Sequence, residues 1–146
     1  MPRAVIDTNV VLAACYGRRA WQSPLLTAWL AGRFDWVTSE ILLAEFLEVS
    51  ARPEQRARIR AGVASSLEQL LRLRADFVIP LAESECPPCR DPDDVMVLAT
   101  AVAGEADYLV TTDGDFLNDP ALLVSMTERG LRIVRPFDFF ASLKSW

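Results

Sequence analysis

The sequence predicts an α/β fold, a three-layer α/β/α sandwich with a central parallel sheet of about five strands, built as one domain over residues 1–146. Two observations support this prediction. Short apolar segments alternate along the chain with segments of helical periodicity, a pattern typical of a parallel sheet covered by helices on both faces. No internal repeat, linker or low-complexity segment divides the chain.

Five short apolar segments are predicted to be strands. The first contains Val5 and Ile6 and stops at Asp7. The others cover residues 36–38, 76–80, 108–111 and 131–134. Short apolar runs of this kind fit buried strands, and the helical segments between them supply the crossovers that parallel strands require.

Capping residues and prolines mark where several predicted helices begin. Ser23-Pro24 starts a helix over residues 24–31, because serine suits the N-cap and proline the first helical position. Ser39 likewise caps a helix over residues 40–50. The other predicted helices cover residues 10–16, 53–60, 64–73, 92 or 93 to 103, 119 or 120 to about 130, and 136–144, and residues 112–115 are predicted to form a turn.

The composition restricts the possible chemistry and location. The chain has no histidine, which excludes Ser-His-Asp and Cys-His catalysis and HExxH zinc sites. No apolar run approaches the roughly 20 residues that span a bilayer. The odd count of three cysteines and the lack of a leader pattern favour a reducing compartment. We therefore expect a cytoplasmic protein that makes no membrane contact.

The charge balance bears on a nucleic-acid partner. A net charge of −5 argues against one, because phosphate binding usually relies on an excess of Lys and Arg, unless the acids surround metal ions. Of the 15 basic residues all but Lys144 are Arg, which binds phosphate bidentately and stacks on unpaired bases. The candidates for RNA contact are Arg18, Arg19, Arg52, Arg56, Arg58, Arg60 and Arg90. Any one of them can equally belong to a solvated helix face.

Acidic residues recur at or after the ends of the first four predicted strands. They are Asp7, Glu45, Asp94, Asp113 and Asp115. Because the carboxyl ends of parallel strands meet at one edge of a sheet, where ligands bind, we expect these carboxylates to converge there. Hard divalent cations such as Mg²⁺ and Mn²⁺ would relieve their repulsion. Such cations can activate water against a phosphodiester without histidine.

Most of these acids also have a purely structural interpretation. Asp7 can cap the helix that follows it, and Asp113-Gly114 is a common turn dipeptide. Asp91 and Asp93 suit the start of a helix around Pro92, and for these two residues we favour that interpretation. Asp94 can complement the helix dipole in the same turn.

Glu45 is harder to explain structurally. At 100° per residue it lies between Ile41 and Val49, on a helix face that also carries Leu42 and Phe46. A lone carboxylate on an apolar face is costly unless it is paired or bound to a metal. This position therefore strengthens the interpretation of the acids as a metal site.

Four segments in this order along the chain are similar to a known family. They are VIDTNV at residues 5–10, TSEILLAEF at 38–46, CRDPDDVMVLATA at 89–101 and YLVTTDGDF at 108–116. Together they resemble the PIN-domain family, in particular the VapC-like toxins of bacterial and archaeal toxin–antitoxin pairs. The resemblance implies a PIN-like three-layer fold and a metal-dependent endoribonuclease that uses Mg²⁺ or Mn²⁺ and leaves a 5′ phosphate. It also implies a cognate antitoxin protein and a homodimer.

The resemblance further implies a role for individual residues. The implied catalytic and metal-binding acids are Asp7, Glu45, Asp94 and Asp113, with Asp115 as a further ligand. Asn9 and Thr112 match polar residues that orient these acids. Asp91, about one turn earlier, competes with Asp94 as the third acid, and either Asp113 or Asp115 is the closer ligand.

Other functions remain open at this point. A non-catalytic PIN-like module that binds proteins is the main alternative, and Mg²⁺-dependent RNA cleavage would decide against it. A phosphoacceptor signalling domain needs an acidic neighbour for Asp7 and a lysine after a late strand, but the only lysine is Lys144, near the C-terminal end. A haloacid-type phosphatase needs Asp where Asn9 stands.

Overall fold

The computed structural model describes residues 1–82, 85 and 92–146, with side chains in the second long stretch from Asp94 onward. Its centre is a five-stranded sheet in the order β3-β2-β1-β4-β5, and every neighbouring pair is parallel. The strands are β1 (Arg3–Ile6), β2 (Asp35–Thr38), β3 (Asp76–Phe77), β4 (Tyr108–Val110) and β5 (Arg132–Val134). The predicted three-layer α/β/α fold is confirmed.

Helices cover both faces of this sheet. They are α1 (Thr8–Ala14), α2 (Pro24–Leu30), α3 (Glu40–Ser50), α4 (Pro53–Arg56), α5 (Val63–Arg74), α6 (Pro92–Ala103), α7 (Gly114–Leu117), α8 (Pro120–Glu128) and α9 (Pro136–Leu143), with a 3-10 turn at Ala20–Gln22. In the described part of the chain, no helix is both long and apolar enough to cross a bilayer.

Side chains alternate along the strands and so build two apolar cores. Ala4 and Ile6 of β1 pack on the face covered by α1, α2, α3, α5 and α9. Val5 lies on the opposite face, with residues of α6, α7 and α8. Since both faces are buried, the central strands β1, β2 and β4 contain mostly apolar residues after their first position, as the sequence pattern indicated.

Four predicted boundaries need correction. The first helix covers Thr8–Ala14 rather than residues 10–16, because it begins directly after β1. The helix predicted over residues 53–60 ends at Arg56, because the backbone of the buried Ile59 pairs with Tyr16 instead. The third strand spans two residues rather than 76–80, and it is an edge strand whose continuation reaches Pro80, which has no N–H to donate. The turn predicted over residues 112–115 contains the start of α7.

The capping prediction holds at one of the two serines. Ser39 Oγ accepts a hydrogen bond from the Leu42 N–H at 3.4 Å and caps α3. Ser23 occupies the N-cap position of α2, but its side chain forms no capping hydrogen bond. Proline at the start of α2 is consistent with a helix beginning there without that bond.

Gly104 packs where α6 turns toward β4, and Gly104→Ala is expected to destabilise the protein. A Cβ there would lie 2.5 Å from Val37 Cγ1 and 3.2 Å from the Thr100 carbonyl oxygen. Overpacking of this kind costs about 1 to 3 kcal/mol, which urea denaturation would measure.

A double variant provides the control for that prediction. Adding Val37→Ala removes the atom that the new Cβ would meet. The double variant should therefore lose less free energy of unfolding than the sum of the losses in the two single variants. Additive losses, or a Gly104→Ala variant as stable as the wild type, would contradict the steric explanation.

Candidate metal centre

Three carboxylates converge at the carboxyl edge of the sheet. One oxygen from each of Asp94, Asp113 and Asp115 lies within 4.8 Å of the other two. Asp94 stands in the first turn of α6, whereas Asp113 is the N-cap of α7 and Asp115 lies in its first turn. Asp94 is buried, Asp113 half-buried and Asp115 exposed, so the cluster extends from the interior to the surface.

Local hydrogen bonds hold Asp113 in place. Its Oδ1 accepts a hydrogen bond from the Asp115 N–H at 2.9 Å. Its own backbone N–H donates to Thr111 Oγ1 at 3.0 Å. The turn after β4 therefore fixes the direction of the Asp113 carboxylate and the backbone position of Asp115.

Asp7 is connected to this turn through Thr111. Asp7 follows β1 and is 8% exposed, and its Oδ2 accepts a hydrogen bond from Thr111 Oγ1 at 2.7 Å. Since Thr111 Oγ1 also accepts from the Asp113 N–H, one hydroxyl links the ends of the neighbouring strands β1 and β4. Asp7 lies outside the group of three mutually close carboxylates but beside it.

Burial raises the pKa of Asp7 above its ordinary value. Hydrogen bonds from the Thr111 hydroxyl and the Thr8 backbone N–H lower that pKa in part, and the negative charge of Asp113 raises it again. The ionised form of Asp7 is thus disfavoured by its surroundings. A cation placed among these acids would favour the ionised form.

Glu45 does not join the three clustered acids within the described chain. The buried residues of α3 are Leu42, Leu43, Phe46 and Ser50, and Glu45 is half-buried. The predicted apolar stripe through Ile41 is wrong, because Ile41 is 51% exposed. The role of Glu45 as a metal ligand stays a prediction.

The two polar residues named as orienting groups lie close to the acids in sequence. Asn9 and Thr112 are both exposed, and both line one cavity. In the described structure the side-chain hydrogen bond to Asp7 comes from Thr111, which the sequence analysis did not single out. A threonine at the end of an otherwise apolar strand was the signal for it. Asp91 lies outside the described residues.

Replacing Thr111 by valine is expected to weaken divalent-cation binding by about 10- to 100-fold, as loss of a group that orients a ligand typically does. The valine keeps the shape of the side chain but cannot donate to Asp7 Oδ2 or accept from the Asp113 N–H. Titration calorimetry with Mn²⁺ would measure the loss. Thr111→Ser keeps the hydroxyl and should recover most of the affinity, whereas equal affinities for the valine variant and the wild type would contradict this role.

Several of the arginines named for RNA contact lie close together. The Gly17 N–H donates to the Arg58 carbonyl at 2.9 Å, and Arg18 and Arg60 line one concavity with Trp21. Arg56 and Arg60 share another. Arg52, which lies between α3 and α4, instead pairs with Glu48 of α3 at 3.3 Å. Arg19 is exposed next to Arg18, and Arg90 lies outside the described residues.

Comparison with known proteins identifies one family. The sequence pattern of the family described as PIN domain matches residues 3–115. The match runs from β1 to Asp115 and so includes every acid discussed above. No curated protein matches the chain.

Proposed function

This chain belongs to the PIN-domain family, and from that premise we propose that it is a metal-dependent endoribonuclease and the toxin of a toxin–antitoxin pair. PIN domains are generally metal-dependent nucleases. The observation that carries the proposal is the convergence of Asp94, Asp113 and Asp115 within 4.8 Å, beside the buried Asp7. Such an arrangement suits Mg²⁺ or Mn²⁺ and the hydrolysis of RNA phosphodiesters.

The donor set fits a hard divalent cation. Carboxylate oxygens are the ligands that Mg²⁺ and Mn²⁺ favour. Neither Asp113 nor Asp115 forms an ion pair with an arginine or lysine of the described chain. Their mutual repulsion and the raised pKa of Asp7 would both be relieved by a cation. We propose Asp7, Asp94, Asp113 and Asp115 as the residues that hold it, with Glu45 as a further acid.

Each residue around this centre has its own role in the proposed hydrolysis. When bound, Mg²⁺ or Mn²⁺ supplies polarisation of a phosphate oxygen and activation of water. Asp115 is exposed to solvent, the side from which substrate would arrive, whereas Asp94 is the buried ligand. Thr111 orients Asp7. Because the chain has no histidine, these carboxylates are also the groups available to accept a proton from water.

The proposed path of RNA runs from this centre across α1. That helix of seven residues begins next to Asp7 and spans about 10 Å. Beyond its end lie Arg18, Arg58 and Arg60, and Arg58 stands 5.3 Å from the centre of the Tyr16 ring. We propose that these arginines bind the phosphates of a single strand, which offsets locally the net charge of −5.

A cleavage assay on the purified full chain tests the proposal. Labelled RNA should be cut in the presence of Mg²⁺ or Mn²⁺, the cutting should stop with EDTA, and excess Mn²⁺ should restore it. Asp113→Asn purified by the same procedure controls for a contaminating ribonuclease and should be inactive. Failure of every divalent cation to support cleavage would instead favour the non-catalytic protein-binding module.

The toxin role has a separate test. We propose a cytoplasmic protein that binds a cognate antitoxin and forms a homodimer, and the 81% exposed Phe137 on α9 is a candidate contact for one of these partners. Expression of the chain should arrest growth, and co-expression of a small DNA-binding protein encoded next to it should relieve the arrest. Growth arrest that persists when Asp94 is replaced by Asn would contradict a catalytic toxin.

A further inference from the structure

A small cavity lies beside the acidic centre. It has a volume of about 250 Å³ and is bounded by α1, α2 and the start of α9. Most of its wall is apolar, and Phe140 contributes an aromatic ring. Its lining residues include Asn9, Ala13, Ser23, Thr112 and Phe140.

Two residues that line the cavity are close neighbours in the chain of the proposed metal ligands. Asn9 stands two residues after Asp7, and Thr112 stands between Thr111 and Asp113. Both Asn9 and Thr112 are exposed and both line the cavity. A group in the cavity would therefore lie next to a phosphate bound at the acids.

Ser23, in the wall of the cavity, has a hydroxyl group without a hydrogen-bond partner in the described structure. The oxygen of this hydroxyl is buried. Although Ser23 is the N-cap of α2, its side chain makes no capping bond. Buried hydroxyls are nearly always hydrogen-bonded, since an unmet one is unfavourable. Rotation of this side chain about χ1 would turn the hydroxyl toward the cavity that Ser23 lines, where a polar ligand atom would supply the missing partner.

We propose, on the basis of the ribonuclease function above, that this cavity holds one unpaired base of the RNA next to the cleaved phosphodiester. Ligand pockets for drug-sized molecules measure roughly 300 to 1,000 Å³, so the observed volume fits a single ring system better than a larger ligand. Bases of single strands are bound by stacking on aromatic side chains and by hydrogen bonds to their edges. Phe140 can stack on the base, and Ser23 and Asn9 can form hydrogen bonds to its edge.

Abasic RNA tests whether cleavage depends on one base next to the cut. Once the position cut by the wild-type chain is mapped on a single-stranded oligonucleotide, each nucleotide flanking it is replaced in turn by an abasic residue. Because stacking of one base on an aromatic ring stabilises binding appreciably, kcat/KM should fall about tenfold when the abasic residue stands at the position of the bound base. Removal at the other flanking positions should have a much smaller effect.

Ala13→Leu tests whether the cavity is what receives that base. Ala13 is exposed on α1, so a larger side chain can cover the cavity mouth without entering the core. The variant should cleave intact RNA about tenfold less well and should lose the abasic penalty, because the base is already excluded. Ala121→Leu adds the same atoms to an exposed position of α8 away from the cavity and should behave as the wild type.

The outcomes separate this inference from the function on which it rests. A wild-type chain that cuts no RNA refutes the ribonuclease and the base pocket together. A wild-type chain that cuts RNA with no base-dependent position overturns the pocket alone. So does an abasic penalty that persists in Ala13→Leu, and the apolar wall would then be a contact for a protein.

Discussion

Asp94→Asn is expected to lower RNA cleavage by at least about 100-fold while the fold stays intact. Asp94 is the buried member of the three close carboxylates, and asparagine keeps its shape but removes its charge. Metal-ion stabilisation of charge is worth several kcal/mol, and each 1.36 kcal/mol changes the rate about tenfold. The rate of cleavage of a labelled RNA at saturating Mn²⁺ is the measurement, with circular dichroism to verify folding.

Two further variants sharpen this prediction. Asp119→Asn changes an acid that only caps α8, where it accepts a hydrogen bond from the Leu122 N–H at 3.2 Å, and asparagine caps helices equally well. It should retain full activity. Asp91→Asn tests the competing position for the third acid. A larger loss in Asp91→Asn than in Asp94→Asn would transfer the ligand role to Asp91.

Asp7→Asn is expected to abolish cleavage and at the same time to stabilise the metal-free protein at neutral pH. Burial raises the pKa of the Asp7 carboxyl in the folded state, so folding favours its protonated form. The stability that comes from this preference is fully present below the pKa of Asp7 in the unfolded chain. It is lost as pH rises through the pKa of Asp7 in the folded chain. The uncharged asparagine avoids this loss and can still accept the hydrogen bond from Thr111.

Thermal melting in EDTA over a range of pH measures the stability effect. The melting temperature of the wild type should fall relative to that of Asp7→Asn as pH rises above the ordinary range of an aspartate. Adding Mg²⁺ at neutral pH should raise the melting temperature of the wild type more than that of the variant, because binding stabilises the folded state. A variant that is less stable than the wild type in EDTA, or that still cleaves RNA, would contradict these roles of Asp7.

Local signals were sufficient to predict most of the fold. Short apolar runs and helical periodicity identified all five strands and most of the helices, because both patterns depend on neighbouring residues. Helix α7 was missed, since its four residues are too few for a periodic pattern. It is held by the Asp113 cap and by the fully buried Phe116, a tertiary contact.

The candidate site was predictable in part. The positions of Asp94, Asp113 and Asp115 followed from the rule that loops after parallel strands meet at one edge. The rotation of α3 about its axis was not predictable, because packing against α1, α5 and α6 decides it. Ile41 therefore turned out exposed and Glu45 half-buried. The Thr111 hydroxyl bridge depends on the β1 and β4 pairing, which no local pattern contains.

Calorimetric titration of the metal-free chain with Mn²⁺ tests most directly that these acids form a metal centre for RNA cleavage. The wild type should bind Mn²⁺ saturably, and cleavage should rise with occupancy over the same concentrations. Asp113→Asn should bind at least about tenfold more weakly and lose cleavage in parallel. Equal Mn²⁺ affinity in the wild type and Asp113→Asn, or RNA cleavage by the wild type in EDTA, would contradict the account.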